Sequence, residues 1–167
     1  MNTYETQNGE EGLTDNESKL ASYWKTPFTK ICLGMKVNGI TRWMKLDYTA
    51  SSLYSVLADG IFRDTTAGRS TWKALIDGSS LQLNCNKEGF NVRTVVLEAP
   101  QHFLNGRLAF IGNNENDCLS PDSYIGFGVS MFACGRTSEI TCGNKAICSG
   151  TDNGGKTTPA IGFILVQ

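Results

Sequence analysis

The sequence predicts a single α+β domain. An early strand hairpin and two short helices pack on a mostly antiparallel, twisted sheet, and a disulfide-braced loop region lies toward the C-terminus. Three observations lead there. The run FTKICLGMKV-NG-ITRWMKLDY sets two strand-like stretches around Asn38-Gly39, a pair that accepts positive φ at both centres of a type I′ turn. Two short segments with helical spacing follow, each stopping at a glycine. Strand-forming runs then dominate, and helices early with strands later is the order of an α+β domain. The chain has 167 residues, enough for one domain with a sizeable core. Residues 1–14 read as a flexible lead and 15–167 as the domain.

Taken in order, Asp15 or Asn16 is placed to cap a short helix, ESKLASYWK, which Pro27 ends. Asn16-Glu17-Ser18 is also the chain's single glycosylation sequon. In the hairpin, Ile31, Leu33, Met35 and Val37 alternate with Lys30, Cys32, Gly34 and Lys36, which leaves one face apolar. Thr49 is the expected N-cap of ASSLYSVLAD, with Leu53, Val56 and Leu57 as its buried stripe and Gly60 as its stop. A second helix from Arg69 to Asp77 buries Trp72, Leu75 and Ile76 and stops at Gly78. Strands are expected at Phe90–Leu97, Arg107–Ile111, Tyr124–Phe132 and Ile161–Val166. Residues 134–159 read as a cysteine-rich loop containing the turn Asp152-Asn153-Gly154-Gly155.

Composition narrows the function. The formal net charge is −1 with no long run of like charges, which argues against nucleic acid and against an anionic membrane surface. No apolar run approaches the roughly 18 residues of a membrane span, so no membrane insertion is expected. The N-terminal stretch is polar and acidic and carries no signal-peptide segment. The six cysteines, Cys32, Cys85, Cys118, Cys134, Cys142 and Cys148, point to a mature extracellular chain. Three of them crowd ACGRTSEITCGNKAICSG, a segment with no periodicity that would fray unless stapled. Fifteen pairings are open. Zinc is disfavoured, because there is no CxxC pair and His102 is the sole histidine. Buried free thiols are the second reading, above all for Cys32 in its hydrophobic strand.

The chemistry concentrates in GRLAFIGNNENDCLSPDSYIGFG, residues 106–128. Asn113, Asn114, Glu115, Asn116 and Asp117 form a run of side-chain oxygens before Cys118. Asn113, Glu115, Asn116 and Asp117 are the candidate calcium ligands, although the spacing is not that of an EF-hand. The leading reading is that these side chains bond their own backbone and shape the loop, with calcium second. Asn113, Asn114, Asn116, Asp122 and Tyr124 are the candidate ligand-binding residues, because sugar sites set an exposed aromatic beside amides and carboxylates. Nothing resembles a GxSxG elbow or a phosphate loop, and although carboxylates are plentiful nothing fixes two of them at a working separation, so no enzyme is expected and a carboxylate-pair enzyme ranks last. No cofactor other than calcium comes into question.

The segments WMKLDYTASSLYSVLADG, GRSTWKALIDGSSLQLNCNKEGFN, RLAFIGNNENDC and PDSYIGFG resemble an extracellular domain of cnidarian proteins, found among the skeletal organic matrix proteins of stony corals. That domain in turn looks distantly like the fibrinogen-related and intelectin group. The resemblance implies a secreted, disulfide-bonded module, with Asn113, Asn116 and Asp117 in the place of a calcium loop. The paired-tryptophan and Cys-His segment of fibrinogen-related domains has no counterpart in YIGFGVSMFACG. The expected function is a non-enzymatic recognition or adhesion module that binds a glycan or an extracellular protein through residues 113–124 and 152–156, as a monomer or homo-oligomer. The alternative is a structural matrix component without a discrete pocket.

Overall fold

The computed structural model describes residues 18–95 and 102–167. The expected N-terminal lead, the Asp15 or Asn16 cap, the sequon and the strand end at Leu97 lie outside those residues. The hairpin forms as expected: β1 (Phe28–Val37) returns as β2 (Ile40–Ala50), with Asn38 at φ 50° and Gly39 at φ 80°.

The fold class differs from expectation. Among the described residues the helices are α1 (Ser22–Lys25), α2 (Leu53–Leu57) and α3 (Arg69–Lys73), only four, five and five residues long. The protein is therefore mainly β rather than α+β. The helical spacing at 50–59 and 69–77 is real, but β2 runs on to Ala50 and takes Thr49 into the strand. Ser52 caps α2 instead, its hydroxyl accepting from Ser55 N at 3.1 Å. Leu53, Val56, Leu57, Trp72, Leu75 and Ile76 are buried as expected.

The remaining strands are β3 (Arg63–Asp64), β4 (Asn84–Val95), β5 (Phe103–Asn113), β6 (Ser123–Ala133), β7 (Arg136–Thr137), β8 (Cys142–Ala146), β9 (Lys156–Pro159) and β10 (Ile161–Val166). β7, β8 and β9 correct the expectation of an irregular loop across 134–159. They are short and rich in Gly, Thr and Lys, and take their register from neighbours rather than from a hydrophobic alternation of their own.

Two antiparallel sheets result. One has the order β10-β1-β2; the other runs β3-β4-β5-β6-β8-β9, with β7 paired to the end of β6. Ile31, Leu33, Met35, Met44 and Leu46 of the small sheet meet Trp72, Phe90, Leu108, Phe110, Ile125 and Phe127 in the main core. Val92, Leu104, Ala109, Ile111, Tyr124, Val129 and Met131 form a second core on the other side of the large sheet.

That division exposes an irregularity. Residues two apart in a strand share a face, yet Phe90 and Val92 lie in different cores, as do Phe127 and Val129. The face changes at Asn91 and Gly128, which have φ of 50° and 60°. Between them on β5 sits Arg107, bracketed by the pairs Phe90↔Leu108 and Val92↔Gly106 on one side and Leu108↔Phe127 and Gly106↔Val129 on the other. Three neighbouring strands thus kink in one row. The pairing keeps the same register on both sides, so the row re-aims side chains without inserting a residue in any of the three strands.

Candidate functional site

Of the polar run before Cys118, Asn113 is turned inward while residues 114–117 are exposed. Asn113 is fully buried; its Nδ2 donates to Asp117 O at 3.1 Å and Asp117 Oδ1 at 3.3 Å, and its Oδ1 accepts from Asn114 N at 3.0 Å. Asp117 Oδ1 also accepts from Leu119 N at 2.8 Å. Asn114 accepts from Gln82 Nε2 and donates to Glu115 Oε1 at 2.5 Å. Asn116 is exposed. Asn113 Oδ1, Glu115 Oε1 and Asp117 Oδ1 each accept an N–H bond, and these bonds occupy part of the oxygen set that a calcium ion would need.

The other expected ligand residues are buried too. Tyr124 is not the exposed aromatic of a sugar site. It is fully buried in the second core, and its hydroxyl lies 2.6 Å from Ser138 Oγ and 2.7 Å from Ile140 O. Burial pushes its phenol up to about 12, with the Ser138 hydrogen bond opposing. Asp122 is buried beside Gln82 Nε2, which reaches its Oδ2 at 3.3 Å. Burial raises its carboxyl, and the Gln82 bond only partly offsets that.

The cysteines divide four and two. Cys85–Cys118 ties the polar loop to the start of β4, and Cys134–Cys148 ties the end of β6 to the segment after β8. Cys32 and Cys142 are free, which corrects the expectation of bridges for all six. On its two neighbouring strands Cys32 stands opposite Lys45 and Leu165, not opposite a cysteine. Burial pushes the Cys142 thiol up to about 12. The Asp122 carboxyl lies near the sulfurs of Cys134 and Cys148, but those sulfurs are bonded to each other and offer no thiolate to a metal.

Two further carboxylates, singled out by nothing in their local sequence, serve the fold. Glu88 accepts from Thr65 Oγ1 at 2.6 Å, Gly68 N at 2.7 Å, Trp72 Nε1 at 2.8 Å and Ala67 N at 3.1 Å, which pins the loop before α3 onto β4. Asp152 meets Lys73 Nζ at 2.5 Å, Arg69 at 2.8 Å and Leu81 N at 3.0 Å. Burial alone would raise the Asp152 carboxyl, but the Lys73, Leu81 and Arg69 bonds outweigh it and hold the group at about 2. The expected 152–156 contact loop is therefore a brace between α3 and the start of the large sheet.

The open polar surface lies at the kink. Asn91, Arg93, Asn105, Gly106, Arg107, Gly128 and Ser130, with Gly60 at the rim, line a cleft of about 360 Å³. Its wall is fixed from the side. Asn91 Nδ2 donates to Val56 O at 2.9 Å and Ile61 O at 3.1 Å, and Arg107 donates to Leu57 O at 3.2 Å. The bonds to Val56 and Leu57 satisfy carbonyls that the end of α2 leaves without helical partners. Gly128 has no Cβ, and the stem of Arg107 crosses it; a Cβ there would come within 2.8 Å of Arg107 Cγ. Beyond the kink, Arg93 pairs with Asn105 and Asn105 with Ser130, so the three stand in one row across β4, β5 and β6. Among the described residues none of these three side chains makes a hydrogen bond or ion pair within the protein. A second groove, about 460 Å³, is lined by Thr65, Gly68, Lys87 and Glu88. There Glu88 is saturated by its four donors, and the Lys87 ammonium sits 4.3 Å from the Phe62 ring centre.

Sequence reasoning missed this cleft. The available signal was Asn91, Gly106 and Gly128 inside strand-like runs, residue types that mark a bulge or a close approach. Comparison with protein-family models, with characterised proteins and with solved structures found no match for the chain.

Proposed function

We propose that the protein is an extracellular, non-enzymatic recognition module that holds a glycan in the kink cleft. The observation that carries this reading is the row Arg93, Asn105 and Ser130. Three hydrogen-bonding side chains are set side by side by strand register and have no partner among the described residues, while Asn113, Asp117, Asp122 and Glu88 are held by hydrogen bonds within the protein. Polar groups fixed on a rigid sheet recognise a ligand at lower entropic cost than groups on a loop. The two disulfides support an oxidising location, and the resemblance to the cnidarian matrix domain points the same way. The test is a glycan array probed with the parent protein and with an Asn105→Ala, Ser130→Ala double variant. Binding by the parent that the double variant loses supports the reading. A silent array, or binding indifferent to both substitutions, overturns it.

A further inference from the structure

Resting on that reading, we infer that the group held in the cleft is an anion: a sulfate ester or carboxylate carried on a sugar. Among the described residues the lining supplies two guanidinium groups, two amides and a hydroxyl, and no carboxylate. Arg93 is exposed and has no partner among the described residues. Arg107 gives one nitrogen to Leu57 O, which leaves the rest of its fork for another acceptor.

The acid next to the cleft rim in sequence, Asp59, does not neutralise either arginine. Arg63 holds it through two bonds, at 2.9 Å and 2.6 Å, and that pairing, with the Ile61 amide, keeps the Asp59 carboxyl at about 2. The positive charge of Arg107 is also felt at Tyr23, where it opposes the rise that burial imposes on the phenol.

Spacing favours one shared anion. Arg93 lies opposite Asn105, and Arg107 is two residues further along the same strand. That is the diagonal relation across a strand pair, with Cα atoms about 7–8 Å apart. Two long side chains at that separation can converge on a single oxyanion, and arginine forks match sulfate and carboxylate geometry. The row from Arg93 to Ser130 spans two inter-strand spacings, roughly 10 Å. That is wider than a lone inorganic ion, so Asn105 and Ser130 are placed to meet the hydroxyls of a sugar that carries the charge.

Calorimetry on the full chain tests this with three probes: a heparin hexasaccharide (sulfates and carboxylates), a hyaluronan hexasaccharide (carboxylates only) and neutral chitohexaose. The expected result is binding of one or both acidic probes and no binding of chitohexaose. Heparin alone identifies sulfate as the partner; hyaluronan as well identifies carboxylate. Arg93→Gln, which removes no bond to the described residues, and Arg107→Lys, which keeps charge but loses the fork, should each weaken binding about tenfold or more. Lys45→Gln, a cation on the other sheet, should leave it within about twofold. Equal loss from Lys45→Gln, or affinity unchanged by Arg93→Gln, overturns the inference. Binding of chitohexaose that depends on Asn105 and Ser130 also overturns it while leaving the recognition reading standing. If all three probes and the array are silent, both fall.

Discussion

Asp152 shows how one side chain becomes a stability element with a defined pH signature. Its carboxyl sits at about 2 against an ordinary 3.8, so the folded state binds its proton less readily than the unfolded chain does. The stabilisation is present above about pH 4 and drains away as pH falls toward 2. Asp122 has the opposite sign: its carboxyl is raised, so its part is fullest at low pH and is lost as pH rises through the raised value. Asp152→Asn should therefore lower stability by about 1 kcal/mol at pH 6, a figure discounted for the solvent reaching a partly open pair. The difference from the parent should vanish near pH 2. Urea unfolding midpoints between pH 6 and 2 measure this, and a constant offset across the range would refute it. None of this is readable from TDNGGK alone, because Lys73 and Arg69 lie about 80 positions earlier in the chain.

At the scale of elements, what local chemistry dictates was legible and what register dictates was not. The Asn38-Gly39 hairpin was readable because the turn and both strands are contiguous. The stripes of α2 and α3 were readable for the same reason, although the helices proved too short to set the fold class. Tyr124 was misread as a site residue because an aromatic beside Asp and Asn looks the same in sequence whether it faces solvent or a second core. The cleft was hidden because Arg93, Asn105 and Ser130 meet only through pairings across three strands. The row that creates it can be tested directly. Gly128→Ala puts a Cβ at positive φ and against the Arg107 stem, so it should cost more than about 1 kcal/mol. It should also shift the Arg93, Asn105 and Arg107 amide resonances together. Shifts confined to residues 127–129 would mean that the three strands do not kink as a unit.

For the molecule as a whole, the crosslinks lie at one end and the free thiols elsewhere. Cys85–Cys118 and Cys134–Cys148 span 33 and 14 positions, and both restrain connections around the large sheet. Reduction should destabilise the protein by about 3 kcal/mol for the shorter bridge and somewhat more for the longer. The denatured but unreduced chain should titrate two thiols, and the denatured, reduced chain six. In the native protein Cys142 should stay silent, since it is half-buried and its thiol is pushed up to about 12. Six thiols before reduction would remove the case for an oxidising compartment.

The strand order β10-β1-β2 has a mechanical meaning. Gln167 exchanges backbone hydrogen bonds with Thr29 and Lys30, so the chain enters β1 and leaves β10 at the same corner of the small sheet. A tether pulling at that corner would part the β1–β10 ladder one rung at a time instead of loading all its rungs at once. A module built this way yields early under tension applied between those two strands.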